Sequence, residues 1–180
     1  MLAAPAVLLV ARGIPSAFSI AVGLPLAFLG EAIRAWAVGY SGVTTRGDRV
    51  TAPLLVSGGP YAYVRNPLYV GNFITALGFA IAFTGGDAGT KRVALVAGAL
   101  GTMLGVYSIV VPHEERYLRS TFGAEFDAYV AAVPRVKPRT TPAGSEQGVY
   151  DPAVIGKAET RTFVTFGLML LALAFKAREA

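Results

Sequence analysis

Apolar and polar positions fall in long blocks along this chain, not in the two-residue alternation of half-buried strands. Ser16 to Tyr40 is almost continuously apolar, interrupted by Glu31 and Arg34. Leu68 to Thr84 and Val93 to Val111 form two further blocks, joined by Gly85-Gly86-Asp87-Ala88-Gly89-Thr90. A bilayer-spanning helix requires about 20 largely apolar residues, so each block has the length of one crossing. The short Gly-rich connection makes the middle pair an antiparallel hairpin. Thr162 to Phe175 is a shorter block that reaches spanning length once its flanks are added. Leu2 to Ala11 is too short alone and ends at Arg12-Gly13-Ile14-Pro15. The pattern predicts an all-α, polytopic membrane protein with four to five transmembrane helices, folded as a single membrane domain over residues 1–180.

Two polar segments separate the blocks, Ser41 to Asn66 (41–66) and Pro112 to Arg161 (112–161). Two crossings lie between them, so both emerge on one membrane face. Together they hold ten basic residues: Arg46, Arg49, Arg65, Arg116, Arg119, Arg135, Lys137, Arg139, Lys157 and Arg161. The other face has five, Arg12, Lys91, Arg92, Lys176 and Arg178, with Arg34 left inside a block. The positive-inside bias places both polar segments in the cytoplasm, as in an inner or plasma membrane. In the second segment Leu118, Phe122, Phe126, Tyr129 and Val133 recur at helical spacing, although Gly123 weakens a continuous helix. An amphipathic helix along the membrane surface fits that spacing. Residues 139–160, which begin with a Thr, Pro, Gly and Ser-rich run, read as a linker.

Composition agrees with the bilayer as solvent. The hydrophobic fraction is 54% and the mean hydropathy +0.54, with 15% charged residues against roughly 25% in soluble domains. The absence of cysteine excludes disulfides and thiolate chemistry. With one histidine, His113, no histidine metal cluster is expected. A net charge of +5 is too small and dispersed to indicate a nucleic-acid partner. The first eleven residues lack a basic leader, which argues against a cleaved signal peptide.

Three clusters carry candidate chemistry. Gly58-Gly59-Pro60-Tyr61-Ala62-Tyr63-Val64-Arg65-Asn66-Pro67-Leu68-Tyr69-Val70-Gly71 is a tight turn at the mouth of a helix. Pro67 suits the first helical position and Asn66 the N-cap. A helix start with an aromatic belt is one reading, but the density of Tyr, Arg and Asn exceeds what a cap requires. Pro112-His113-Glu114-Glu115 stands at the end of the next span, where adjacent carboxylates need partners. Arg116 and Arg119 on a solvated face could supply them, as could a bound cation or amine. The hairpin brings Arg65, Asn66 and Tyr69 beside His113, Glu114 and Glu115. Third, Glu31 and Arg34 are three apart and can pair on one helix face, or Arg34 can snorkel. The Gly101 to Gly105 spacing signals close helix packing. There is no P-loop and no strand followed by a dinucleotide fingerprint.

Gly59-Pro60-Tyr61, Arg65-Asn66-Pro67-x-Tyr69-x-Gly71 and Glu114-Glu115 resemble the signature of the isoprenylcysteine carboxyl methyltransferase and phospholipid methyltransferase superfamily. Phe122-Gly123-x-Glu125-Phe126-x-x-Tyr129 and Val133-Pro134-Arg135-Val136-Lys137-Pro138 resemble its C-terminal pattern, and Arg34-Ala35-Trp36-Ala37 its preceding helix. The likeness runs from about Gly30 to Pro138. It implies a membrane enzyme that binds S-adenosyl-L-methionine on its cytoplasmic side and methylates a lipid-like or small amphiphilic acceptor. The implied cofactor-binding set is Tyr61, Arg65, Asn66, Pro67, Tyr69, Gly71, His113, Glu114 and Glu115, with Arg65 and Glu115 as catalytic candidates. Prenylcysteine-methylating members usually carry His where this chain has Asn66, so the acceptor stays open among amines, carboxylates and thiols.

The implied chemistry is coherent, because methyl transfer depends on in-line positioning. A carboxylate such as Glu115 suits a cationic cofactor, and Arg65 could clamp a carboxylate. Two other readings stay in play. NADPH-dependent membrane sterol reductases resemble the C-terminal half, but Leu68 replaces the Asn of their motif and Gly71-Asn72 stands where a glutamate follows. A non-enzymatic membrane scaffold would need neither cofactor.

Overall fold

A computed structural model of the chain describes residues 3–42, 54–143 and 147–179. Arg46 and Arg49, two of the cations counted above, lie outside them. The elements are α1 (Ala3–Arg12), α2 (Ala17–Ser41), a short 3₁₀ turn (Gly59–Ala62), α3 (Pro67–Thr84), α4 (Gly89–Phe122), α5 (Ala124–Ala132) and α6 (Ala153–Glu179). The described residues are all-helical, without strands. Four helices, α2, α3, α4 and α6, are long and apolar enough to cross a membrane, and the chain is an integral membrane protein. The ten-residue α1 is too short to span.

Two elements depart from the pattern-based reading. The span expected to stop at Val111 continues through Pro112 to Phe122, so α4 has 34 residues. Proline inside a helix costs about 3 kcal/mol. The two turns that follow it offset that cost with side-chain bonds to other elements, described below. The surface helix expected over 118–133 is instead divided at Gly123. Its φ of 53° and ψ of −123° lie where a side chain is strained. The repeating apolar positions face a protein core. Phe126, Tyr129 and Val133 are buried with Leu55 and Ala143, and Leu118, Phe122 and Val130 pack on them. The chain also turns helical at Ala153, inside the stretch that composition reads as a linker.

The helices contribute to two compact units. The first is formed by Met1–Glu31, Gly71–Tyr107 and Arg161–Ala180. Its core includes Ala27, Phe79, Ala82, Phe83, Ala99 and Phe166, with Phe166 edge-on to Phe28 and Phe79 at 5.0 and 5.1 Å. Here α2 and α3 meet backbone to backbone. A Cβ on Gly78 would collide with Ala27 N and Gly23 O, and one on Gly30 with Thr75 N and Gly71 O. Small residues permit such approach in a bilayer, where packing replaces the hydrophobic effect as the force between helices. At Gly101 and Gly105 a Cβ would meet nothing within 4 Å among the described residues.

The turn between α3 and α4 is held in the same unit. Asp87 accepts from Ile14 N at 2.9 Å and pairs with Lys91 Nζ at 2.6 Å. Arg92 donates to Thr84 O and Gly85 O at 3.0 and 2.6 Å, satisfying carbonyls that the end of α3 leaves open. The second unit is formed by Ala32–Val70 and Ser108–Thr160 and contains most of the candidate chemistry.

Candidate functional site

The start of α3 is shaped by Asn66-Pro67. Pro67 opens the helix, and the Asn66 carbonyl accepts from both Tyr69 N and Val70 N at 3.1 Å. The Asn66 side-chain Nδ2 is buried and has no partner among the described residues. One turn on, the Tyr69 hydroxyl donates to Glu114 Oε1 at 2.6 Å. The expected neighbourhood of the α3 start and the later turns of α4 is thus present, within the second unit.

Arg65, just before this start, is enclosed, with a side chain 10% exposed. Its Nε donates to Glu115 Oε1 at 3.2 Å, and its Nη1 to the carbonyls of Val130 and Val133 at 3.1 and 2.6 Å. Its backbone N–H donates to Pro134 O at 2.9 Å. Arg135 approaches Glu115 from the other side, through Nε to Oε1 at 3.0 Å and Nη2 to Oε2. One carboxylate is therefore shared by two guanidiniums, the strongest class of side-chain hydrogen bond. Arg139 N to Tyr63 O and Ala143 N to Ala62 O, both 2.9 Å, continue the lacing of residues 133–143 along 62–65.

Adjacent carboxylates have thus separated in role. Glu115 is neutralised twice over. Glu114 has Tyr69 as its hydrogen-bond partner and no cation in contact among the described residues. Arg119, a possible partner from sequence, pairs with Asp127 at 2.7 Å and lies over the Phe126 ring. His113 and Arg116 are exposed.

Tyr61 sits in the 3₁₀ turn, where its carbonyl accepts from Tyr129 OH at 2.9 Å. Burial pushes its phenol up to about 12, against a hydrogen bond from Ser41; nearby Glu114 raises it and nearby Arg34 lowers it. Arg34 does not snorkel: it is 4% exposed and donates from Nη2 to Glu159 Oε2 at 2.7 Å. Gly71 falls in the first unit, where its carbonyl lies against Gly30.

Arg135 and Glu159 have roles that residue patterning alone did not assign. Arg135 stood within the Val133 to Pro138 motif but without a partner. Glu159 was hidden in a supposed linker, and running the Thr162 block backwards as a helix would have exposed it as a buried charge.

A family model described as phospholipid methyltransferase matches residues 18–125, more than half of the chain. The chain belongs to the phospholipid methyltransferase family. Among curated relatives, it is 41% identical over 81 residues to protein-S-isoprenylcysteine O-methyltransferase of Schizosaccharomyces pombe. That alignment covers 45% of this chain and 31% of the relative. No solved structure matches it. The phospholipid methyltransferase match includes Arg34, Arg65, Asn66, Glu114 and Glu115 but ends before Arg135 and Glu159.

Proposed function

We propose that this protein is an S-adenosyl-L-methionine-dependent methyltransferase that acts in the membrane on a lipid-like or small amphiphilic acceptor. The observation that carries the reading is the division of labour between Glu114 and Glu115 beside Asn66. Glu115 is committed to Arg65 and Arg135, which leaves Glu114 as the carboxylate for a ligand cation. Asn66 Nδ2 is a buried donor without an acceptor among the described residues, a condition that costs about 1–3 kcal/mol unless a ligand relieves it.

These residues fit S-adenosyl-L-methionine, an amphoteric cofactor with cationic and acceptor groups. When bound it supplies an electrophilic methyl group on sulfur, so the protein's task is orientation and exclusion of water. Glu114, oriented by the Tyr69 hydroxyl, would hold a positive group. Asn66 would donate to a carboxylate or ring nitrogen. Arg65, Glu115 and Arg135 brace the turn between α5 and residue 139 against the start of α3. Tyr61 stays neutral at physiological pH and can donate or accept.

Both polar segments carry the larger share of basic residues, which supports a cytoplasmic site in an inner or plasma membrane. The Schizosaccharomyces pombe relative is named for an isoprenylcysteine substrate, and an apolar acceptor with a reactive head is compatible with a site on spanning helices. Membranes containing the protein, incubated with methyl-labelled S-adenosyl-L-methionine, should transfer label to a lipid or small amphiphile fraction. No transfer, together with thermal stabilisation by NADPH and not by S-adenosyl-L-methionine, would replace this reading with a reductase.

A further inference from the structure

Beyond the residues matched by the family model, the chain that follows α5 forms a loop pinned at a narrow base. On one side Arg65 N donates to Pro134 O, and on the other Arg139 N donates to Tyr63 O, both at 2.9 Å. Tyr63 and Arg65 are next-but-one neighbours, so residues 135–138 must bow out from that base. Pro134 and Pro138, whose rings fix φ, stand at the two ends of the bow. On it Val136 is 68% exposed, with the exposed cations Arg135 and Lys137 on either side.

The position of the base sets the depth of the loop. Arg65 comes just before Asn66-Pro67, where the spanning helix α3 begins. The base therefore lies at the mouth of a membrane crossing. An aromatic pair marks the same level. The Tyr63 ring is 6.3 Å from that of Trp36, which is 43% exposed near the end of the spanning helix α2. Exposed Trp beside Tyr at the ends of spanning helices is the make-up of a headgroup-level belt.

The charge of the loop has one sign. Residues 133–143 include Arg135, Lys137 and Arg139 and no acidic residue. Arg135 shares Glu115 with Arg65, so two cations there face one carboxylate. Arg139 donates to the carbonyls of Ala132 and Thr141 at 2.8 and 3.1 Å, which orients its charge without cancelling it. A lone exposed valine needs no explanation. One carried at headgroup depth between cations matches an anionic lipid surface, which takes the apolar tip below its phosphates and the cations among them.

We propose that the 135–139 loop docks on anionic phospholipid headgroups of the leaflet at which α3 begins, with Val136 inserted and Lys137 and Arg139 against phosphates. Docking holds the base of the loop, and with it the Arg135–Glu115 pair, at the mouth of α3. The inference is independent of the methyltransferase reading, and its test uses no cofactor.

The chain has no cysteine, so Val136→Cys takes a single spin label on the loop. The full-length protein is placed in nanodiscs of phosphatidylcholine, alone or mixed with phosphatidylglycerol. Collisions of the label with oxygen, which concentrates in the bilayer, are compared with collisions with a neutral, water-soluble nickel chelate. Phosphatidylglycerol should shift the label from chelate-accessible to oxygen-accessible. Lys137→Glu in the same background should lower the ratio of inserted to aqueous label by roughly tenfold, and Lys137→Gln by roughly fivefold. Raised salt should weaken the shift. Lys137 is exposed, so both variants should keep the thermal midpoint of the labelled parent. Equal chelate exposure in the two lipid compositions would overturn the inference, as would a phosphatidylglycerol response that both Lys137 variants leave intact.

Discussion

The Arg65 guanidinium reaches Glu115 across 50 sequence positions, donating from Nε to Oε1 at 3.2 Å. The same side chain caps two carbonyls three residues apart at the end of α5, those of Val130 and Val133. A single residue thus joins the start of α3, the last turns of α4 and the end of α5. Arg135 shares the carboxylate, so Glu115 is the hub of the brace.

Arg65→Ala should therefore do two things at once. It removes the brace, and it leaves two carbonyls without their donor, which costs about 1–3 kcal/mol. The thermal midpoint should fall by several degrees, at about 2–4 °C per kcal/mol for a chain of this size. Methyl transfer should fall by at least about a hundredfold. Arg65→Lys should rescue little, because an ammonium cannot present the planar fork that serves three acceptors. Wild-type transfer by Arg65→Lys would show that charge alone suffices.

Glu114→Gln and Glu115→Gln should differ in kind. Glu114 has no cationic partner among the described residues, so its neutralisation should weaken S-adenosylhomocysteine binding by roughly tenfold to a hundredfold while the midpoint changes little. Glu115→Gln leaves Arg65 and Arg135 facing each other without their counter-ion, so it should lower the midpoint first. Calorimetric affinity and thermal midpoint measured side by side separate the two. Equal effects of both variants on both readouts would remove the division of roles.

Much of this arrangement was legible in the residues, and for identifiable reasons. Block length announces a spanning helix, and the parity of crossings brought Arg65 and Tyr69 to Glu114 and Glu115. Pairing within those neighbours was not legible, because Tyr, Arg and Glu at one helix mouth can bond in several ways. Arg34 illustrates the limit. Glu31 stands at helical spacing from it as a candidate partner, whereas Glu159, the partner it has, is 125 positions away and is brought in by the packing of α6. Helix ends depart from local signals where tertiary bonds outweigh them, as at Pro112, and Gly123 is a true break because its backbone leaves the helical region.

Glycines of α3 and α4 offer a matched comparison. Gly78→Ala puts a methyl against Ala27 N and Gly23 O, closer than side-chain carbons normally approach backbone. The α2–α3 seam must open, and the thermal midpoint should fall, with a loss of about 1–3 kcal/mol. Gly101→Ala meets open space within the chain and should be neutral or stabilising by up to about 1 kcal/mol through helix propensity. Thermal unfolding of both variants in the same detergent is sufficient. A midpoint for Gly78→Ala at or above that of Gly101→Ala would contradict the seam.

Acid sensitivity should trace to Asp87. Burial alone would raise its carboxyl, but the Lys91 hydrogen bond and charge, the Ile14 N–H and the charge of Arg92 outweigh it. The folded-state value therefore lies below the ordinary 3.8. The ionised form is favoured by folding, so its stabilisation is complete above the unfolded value and fades as pH falls through the folded one. Wild-type protein should exceed Asp87→Asn in midpoint at neutral pH, and the gap should narrow below about pH 4. Measuring both midpoints from neutral to acid pH checks this. A gap that stays constant throughout would mean that the Ile14 hydrogen bond, and not the charge, ties the α3–α4 turn to the segment after α1.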